Sequence, residues 1–67
     1  MKLDFLRREI ERMRVQVRRQ RKDIQTLTVA GISTVAAEAL LDRMQNKVDE
    51  LCAERDRLIG EARVARG

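Results

Sequence analysis

Apolar side chains recur through the first half of the chain at alternating steps of three and four residues. This first seam consists of Leu3, Leu6, Ile10, Met13, Val17, Gln20, Ile24 and Leu27. Such spacing is typical of a helix whose heptad positions a and d face a neighbouring helix. Its one polar member is Gln20. The pattern predicts a first helix over about residues 3–30.

The same alternation returns in the second half of the chain. This second seam consists of Ala37, Leu41, Met44, Val48, Leu51, Arg55, Leu58, Ala62 and Ala65. Here the single polar intruder is Arg55. We expect a second helix over about residues 34–62. A frayed tail over residues 63–67 should follow, because chain ends bounded by glycine order poorly.

The stretch VAGISTVAAE between the seams breaks the heptad spacing. Gly31 suits the left-handed conformation just past a helix C-terminus, since it has no Cβ to clash. Ser33 can then act as the N-cap of the next helix, with Ile32 packing back on Ala37 as a hydrophobic staple. These signals predict a turn over about residues 31–33.

A short turn between two helices makes them antiparallel neighbours. The sequence therefore predicts an all-α fold, an antiparallel two-helix coiled-coil hairpin that occupies residues 1–67 as one domain. The alternative is one continuous helix, which Gly31 and the β-branched residues around it disfavour.

A chain of 67 residues is usually marginal as a lone domain without disulfides, metal or partners. It has one cysteine, Cys52, and no histidine, so neither an intrachain disulfide nor a Cys/His zinc site is expected. Stabilisation should then come from another protein chain. We expect two hairpins to pair into a four-helix bundle, as a homodimer or tetramer. Leu40, Cys52 and Ile59 widen the apolar arc of the second helix and favour this pairing.

The predicted association seam is apolar throughout. It consists of Leu6, Ile10, Met13, Val17, Ile24, Leu27, Leu41, Met44, Val48, Leu51 and Leu58. Polar residues within such a seam commonly select the register or the oligomeric state, and we assign that role to Gln20 and Arg55. In an alignment that opposes Gln20 to Val48 and Arg55 to Met13, their polar partners would lie in a second copy.

Charge is divided unevenly, with a net charge of +4 overall. Residues 1–30 carry nine bases and four acids, and residues 33–67 carry six bases and seven acids. Three arginines of the first helix and three aspartates of the second each repeat every seven residues. We expect these rows to pair across the hairpin and fix its register, since exposed ion pairs add little stability. The expected pairs are Arg7 with Asp56, Arg14 with Asp49, and Arg21 with Asp42.

Five further cations occupy heptad positions that face away from the second helix. We call them the basic outer face: Arg8, Arg12, Arg18, Arg19 and Lys22. This face is either a solvated helix surface, a surface for a partner protein, or an electrostatic footprint for nucleic acid. The residues interleaved with the bases offer no aromatic side chain for stacking. Binding to a membrane surface is a further alternative, weakened because Phe5 is the sole aromatic residue.

Composition argues against catalysis. No histidine is available as a general base or to activate Cys52, which we expect to be a small apolar side chain. The chain has no glycine-rich phosphate loop, and a hairpin offers little concavity, so we expect no enzyme activity, no cofactor and no metal. No apolar run is long enough for a membrane span or a signal peptide, so we expect a cytoplasmic protein.

The sequence thus predicts a small non-enzymatic helical-hairpin interaction module that self-associates and presents its basic outer face to a partner protein. A nucleic-acid-binding accessory protein that contacts phosphates through the same face is the main alternative. A piece of a larger coiled-coil assembly is the third.

Overall fold

Two long helices form almost the whole molecule. A computed structural model describes residues 2–66, and of Arg66 only the backbone. Helix α1 spans Lys2–Val29 and helix α2 spans Val35–Arg66. They lie side by side and antiparallel in a slender body whose Cα extents are 56 × 16 × 12 Å. The predicted all-α hairpin is confirmed, and the continuous helix is excluded because the chain reverses between Val29 and Val35.

The end of α1 is a Schellman motif centred on Gly31. The Ile32 amide donates a hydrogen bond to the Leu27 carbonyl (2.9 Å), and the Gly31 amide donates one to the Thr28 carbonyl (3.1 Å). This pattern satisfies carbonyl groups that the helix end would otherwise leave unpaired. Gly31 has a φ of 72°, so the predicted left-handed conformation is confirmed.

Helix α2 begins one residue later than its predicted cap allows. The Thr34 carbonyl accepts the first helical hydrogen bond, from the Glu38 amide (2.8 Å), so Thr34 stands at the N-cap. The prediction that Ser33 caps this helix was wrong. The shift also moves Ile32 away from the staple position, and its side chain is 57% exposed.

Helix α2 extends further than the sequence indicated. It continues through residues 63–66, beyond the predicted end near residue 62, and Gly67 lies outside the described residues. Ala62, Arg63 and Ala65 are good helix formers. An ion pair between Arg57 and Glu61 spans the turn that contains Gly60, which supports the helix at its weakest point.

The deepest burial lies on α1. Leu6, Ile10 and Val17 are 5%, 2% and 8% exposed. The remaining residues of the predicted association seam are all half-buried: Met13, Ile24, Leu27, Leu41, Met44, Val48, Leu51 and Leu58. Each seam touches only one neighbouring helix, so one side of most of these side chains faces water.

Contacts along both flanks of the seam define the register. Lys2 Nζ lies 3.3 Å from Glu54 Oε1, and Arg14 Nη2 lies 4.0 Å from Cys52 Sγ. When the antiparallel heptads are aligned to allow both of these contacts, Gln20 of α1 lies level with Leu41 of α2. An alignment that opposes Gln20 to Val48 is therefore one heptad away from the observed one. In the observed alignment, Gln20 donates a hydrogen bond to the Ala37 carbonyl and Lys2 lies beside Glu54.

Within residues 2–66, neither helix is long and apolar enough to cross a membrane.

Candidate interaction surfaces on helix α1

The cations of α1 lie on two surfaces. One is the basic outer face, opposite the seam, and the other is a groove between the two helices. Residues on the outer face align because eleven residues make three helical turns, which places Arg8 and Arg19 on the same line. Val15 lies on this line too and is half-buried, as expected where long arginine stems cover a small apolar side chain.

Glutamate neutralises part of the outer face. Arg12 donates two hydrogen bonds to the Glu9 carboxylate, from Nε to Oε1 (3.2 Å) and from Nη2 to Oε2 (2.8 Å). These bonds lower the pKa of the Glu9 carboxyl below its ordinary value and raise the pKa of Arg12. Arg18 Nη2 also lies 3.7 Å from Glu11 Oε1. Two of the five outer cations are therefore paired within α1.

Sequence analysis missed these pairs because the stretch RMRVQVRRQRK contains no acid. The signal was present in the spacing, since Glu9 precedes Arg12 by three residues and Glu11 precedes Arg18 by seven. Both intervals return a side chain to the same side of a helix. Acids that flank a basic stretch therefore reach into it once the helix forms.

Arg8, Arg19 and Lys22 remain as the accessible charge of the outer face. All three are exposed, and within the described residues no carboxylate lies within 4.0 Å of them. An exposed cation of this kind can pair with a carboxylate of another molecule, and the pairing costs little desolvation energy.

The groove on the other surface was not anticipated. It has a volume of about 560 Å³ and lies between α1 and α2. Its lining residues are Arg14, Val17, Arg18, Arg21, Gln45, Val48 and Asp49. Three guanidinium groups thus face one carboxylate. Arg18, which the sequence assigned to the outer face, lies at the rim of this groove.

The expected ladder of ion pairs does not form. None of its three pairs, Arg7 with Asp56, Arg14 with Asp49 or Arg21 with Asp42, approaches within 4.0 Å. Arg14 instead extends over Cys52, and the Asp56 carboxylate accepts a hydrogen bond from Arg55 Nε (3.1 Å). The prediction was wrong because an arginine stem that crosses a neutral residue does not fix where its guanidinium ends.

The opposite flank of the seam carries the ion pair that joins the helices. Glu54 accepts hydrogen bonds from Arg57, on its own helix, and lies beside Lys2 of α1. The hydrogen bonds from Arg57, with a smaller contribution from Lys2, lower the pKa of the Glu54 carboxyl. On the same flank, Lys47 of α2 contributes to the lowered pKa of Glu9. This flank is therefore complementary in charge.

Both polar residues of the seams find partners within the chain. Gln20 Nε2 donates a hydrogen bond to the Ala37 carbonyl (3.0 Å), and Arg55 bonds to Asp56. Neither therefore depends on a second copy for a polar partner, contrary to the expectation from sequence. Their assignment as register-setting residues stays a prediction.

The described chain also contains one thiol and several carboxylates. Cys52 is a free, half-buried thiol. Over residues 2–66, no three His, Cys, Asp or Glu side chains lie together in a way that could hold a metal ion. What the two surfaces offer is charge and shape, through guanidinium groups that form directional hydrogen bonds with carboxylates or phosphates.

Fold and surfaces together define a class, an antiparallel two-helix hairpin whose first helix is strongly basic on two sides. No family model matches the chain, and no curated protein or solved structure matches it either.

Proposed function

We propose that this protein is a small non-enzymatic interaction module of the cytoplasm that self-associates and presents its basic outer face to an acidic segment of a partner protein. The observation that carries the proposal is a set of three exposed cations on that face, Arg8, Arg19 and Lys22, which have no carboxylate within 4.0 Å in the part of the chain that the structure describes. The free Cys52 thiol is compatible with a reducing compartment.

Incomplete burial supports self-association. Among the described residues only Leu6, Ile10 and Val17 are buried, and the α2 seam is half-buried from Ala37 to Leu58 and exposed at Ala62 and Ala65. A chain of this size that covers so little apolar surface gains stability by pairing its hairpins into a four-helix bundle.

The distribution of acids favours a protein partner over nucleic acid. Glu9 and Glu11 lie beside Arg12 and Arg18, so a regular line of phosphates along the outer face would pass close to two carboxylates. An acidic protein segment can instead place single carboxylates at Arg8, Arg19 and Lys22. The face also has no aromatic side chain on which bases could stack.

Nucleic acid remains the second candidate because of the groove. Arg14, Arg18 and Arg21 line it together, and guanidinium groups bind phosphate well. Phosphate binding would require the groove to stay open in the assembled protein.

The test compares two probes, polyglutamate and duplex DNA, on two variants of equal charge. One variant replaces Arg8, Arg19 and Lys22 with glutamine, and the control replaces Arg43, Lys47 and Arg63 of α2. We expect wild type and control to retain polyglutamate and the outer-face variant to lose it. Equal losses in both variants would show that net charge alone is responsible and would overturn the proposal.

Salt separates the two candidates. Binding through phosphates weakens steeply between about 50 and about 200 mM salt, because bound counterions are released. Retention of duplex DNA at the lower value, with no retention of polyglutamate, would support the nucleic-acid function instead. Light scattering on the purified wild type tests self-association separately.

A further inference from the structure

Two rows of charge run along the side of the hairpin that carries the groove, and Arg14, Arg21 and Asp49 of these rows line it. The arginine row consists of Arg7, Arg14 and Arg21 on α1, and the aspartate row consists of Asp42, Asp49 and Asp56 on α2. Both repeat every seven residues, which is about 10.5 Å along a helix. All six side chains are exposed. Equal spacing makes the rows complementary along their whole length.

The charges of these rows are mostly unused within one chain. In the described residues, the arginine row has no carboxylate within 4.0 Å, and of the aspartate row only Asp56 is paired, with Arg55. This Arg55 pair joins adjacent residues on the same helix. It therefore leaves the charge complementarity of the two rows unsatisfied across the hairpin.

A half-buried strip lies between the rows. It consists of Gln45, Cys52 and Ile59, which follow one another at heptad position e of α2. Val17 and Val48 line the groove beside it. The strip has no charged member, so covering it removes apolar surface from water without burying an unpaired ion.

We propose that a second copy of this chain docks on this face, with a two-fold axis parallel to the hairpin, so that each arginine row lies over the aspartate row of the other copy. Each α1 then lies antiparallel beside the second copy's α2, with the heptads of the two helices in phase. The two turns lie at the same end of a four-helix bundle. This inference rests on the self-association in the proposed function and names its surface.

Levels along the hairpin support this arrangement. Arg14 is level with Cys52, as their 4.0 Å contact shows, and Cys52 lies between Asp49 and Asp56 on the helix surface. Rotation about an axis parallel to the hairpin preserves levels. Arg14 of one copy therefore arrives between Asp49 and Asp56 of the other, and heptad repetition brings the rest of each row into place.

The other face-to-face arrangement brings like charges together. A two-fold axis across the hairpin would stack the arginine row on itself. Like charges opposed across an interface are costly.

Reversal of each row in a separate chain tests the proposal. The first variant is Arg7→Asp/Arg14→Asp/Arg21→Asp, and the second is Asp42→Arg/Asp49→Arg/Asp56→Arg. Each variant by itself carries two rows of the same charge, and these rows repel each other in its homodimer. We therefore expect the homodimer dissociation constant to rise about 100-fold or more. Mixed together, the two should form a heterodimer, because every row then meets one of opposite charge. Native mass spectrometry distinguishes the species.

If the two rows instead pair within one chain, the mixture of the two variants should behave differently. Each variant would retain its own like-charged rows, and mixing would restore nothing. The control, Arg8→Asp/Arg19→Asp/Lys22→Asp, has the same net charge as the first variant and should keep its homodimer. Loss of the control homodimer would assign the effect to net charge and overturn the proposal.

The remaining outcomes are also decisive. Homodimers that persist in both row variants, or a mixture that fails to pair, would overturn this interface while leaving self-association intact. A monomeric wild type would overturn both. If that monomer retained duplex RNA at about 50 mM salt, and Arg14→Gln removed the retention, the groove would be assigned to phosphate instead.

Discussion

The side-chain amide of Gln20 donates a hydrogen bond across the hairpin to the backbone carbonyl of Ala37, 3.0 Å away. Gln20 occupies a seam position of α1, and Ala37 lies in the first turn of α2. The bond thus ties the last third of one helix to the start of the next. It gives the polar residue in this seam a partner that depends on the register.

Replacing Gln20 separates its hydrogen bond from its packing. We expect Gln20→Leu to raise the free energy of unfolding by roughly 0.5–1 kcal/mol, since partial burial of leucine exceeds the net value of one hydrogen bond. Gln20→Ala loses both and should lower the free energy by about 1 kcal/mol. Urea unfolding followed by circular dichroism measures both changes. Equal stability of the two variants would show that residue 20 packs against nothing.

Arg55 is the second polar residue in a seam, and its side chain is 28% exposed. We expect Arg55→Leu to raise the melting temperature, because an apolar side chain would fill a position level with buried Leu6. It should also broaden the mass distribution in light scattering, since a polar seam residue restricts the oligomeric state. A loss of stability would contradict this role.

Asp56→Asn serves as the control for Arg55. It removes the carboxylate that accepts the Arg55 hydrogen bond but adds no apolar surface. Because an ion pair near the surface adds little stability, the melting temperature measured at a concentration where the chain is monomeric should change little.

The two described glycines should respond oppositely to the same substitution. Gly31 has a φ of 72°, whereas Gly60 lies within α2, and neither has a heavy atom within 4 Å of the position a Cβ would occupy. Gly31→Ala should lower the free energy of unfolding by about 1 kcal/mol through backbone strain. Gly60→Ala should raise it by about 0.5–1 kcal/mol. Thermal unfolding of both variants is the measurement, and changes of the same sign would contradict the account.

Acid should weaken the hairpin through two carboxylates. Hydrogen bonds from Arg12 and Arg57 hold the pKa values of Glu9 and Glu54 below the ordinary value of 4.5. A carboxyl with a lower pKa in the folded state stabilises the fold above its unfolded pKa, and this contribution is lost as the pH falls through the folded pKa. The melting temperature should therefore fall as the pH drops below about 4.5.

The double variant Glu9→Gln/Glu54→Gln isolates this effect. It removes both titrating groups, so its melting temperature should fall less between about pH 5 and about pH 3 than that of the wild type. Identical pH profiles would show that these two carboxylates contribute nothing to the acid response.

Local signals in the sequence predicted the hairpin well at positions where a backbone conformation strongly favours one residue type. Gly31 is the clearest case, because a left-handed residue after a helix strongly favours glycine. The cap of α2 was harder, since Ser33 and Thr34 are both good N-cap residues and only the path of the turn selects between them. The pairs Glu9 with Arg12 and Glu11 with Arg18 were readable from helical spacing but were missed.

By itself, the sequence determined that the chain forms two amphipathic helices, that they reverse at Gly31, and that α1 is basic outside its seam. Only the tertiary structure decided which heptad of α1 lies beside which heptad of α2, and where the arginine side chains end. A seven-residue repeat allows several alignments with similar apolar contact. In the alignment that the structure shows, Gln20 donates a hydrogen bond to the Ala37 carbonyl and Lys2 lies beside Glu54.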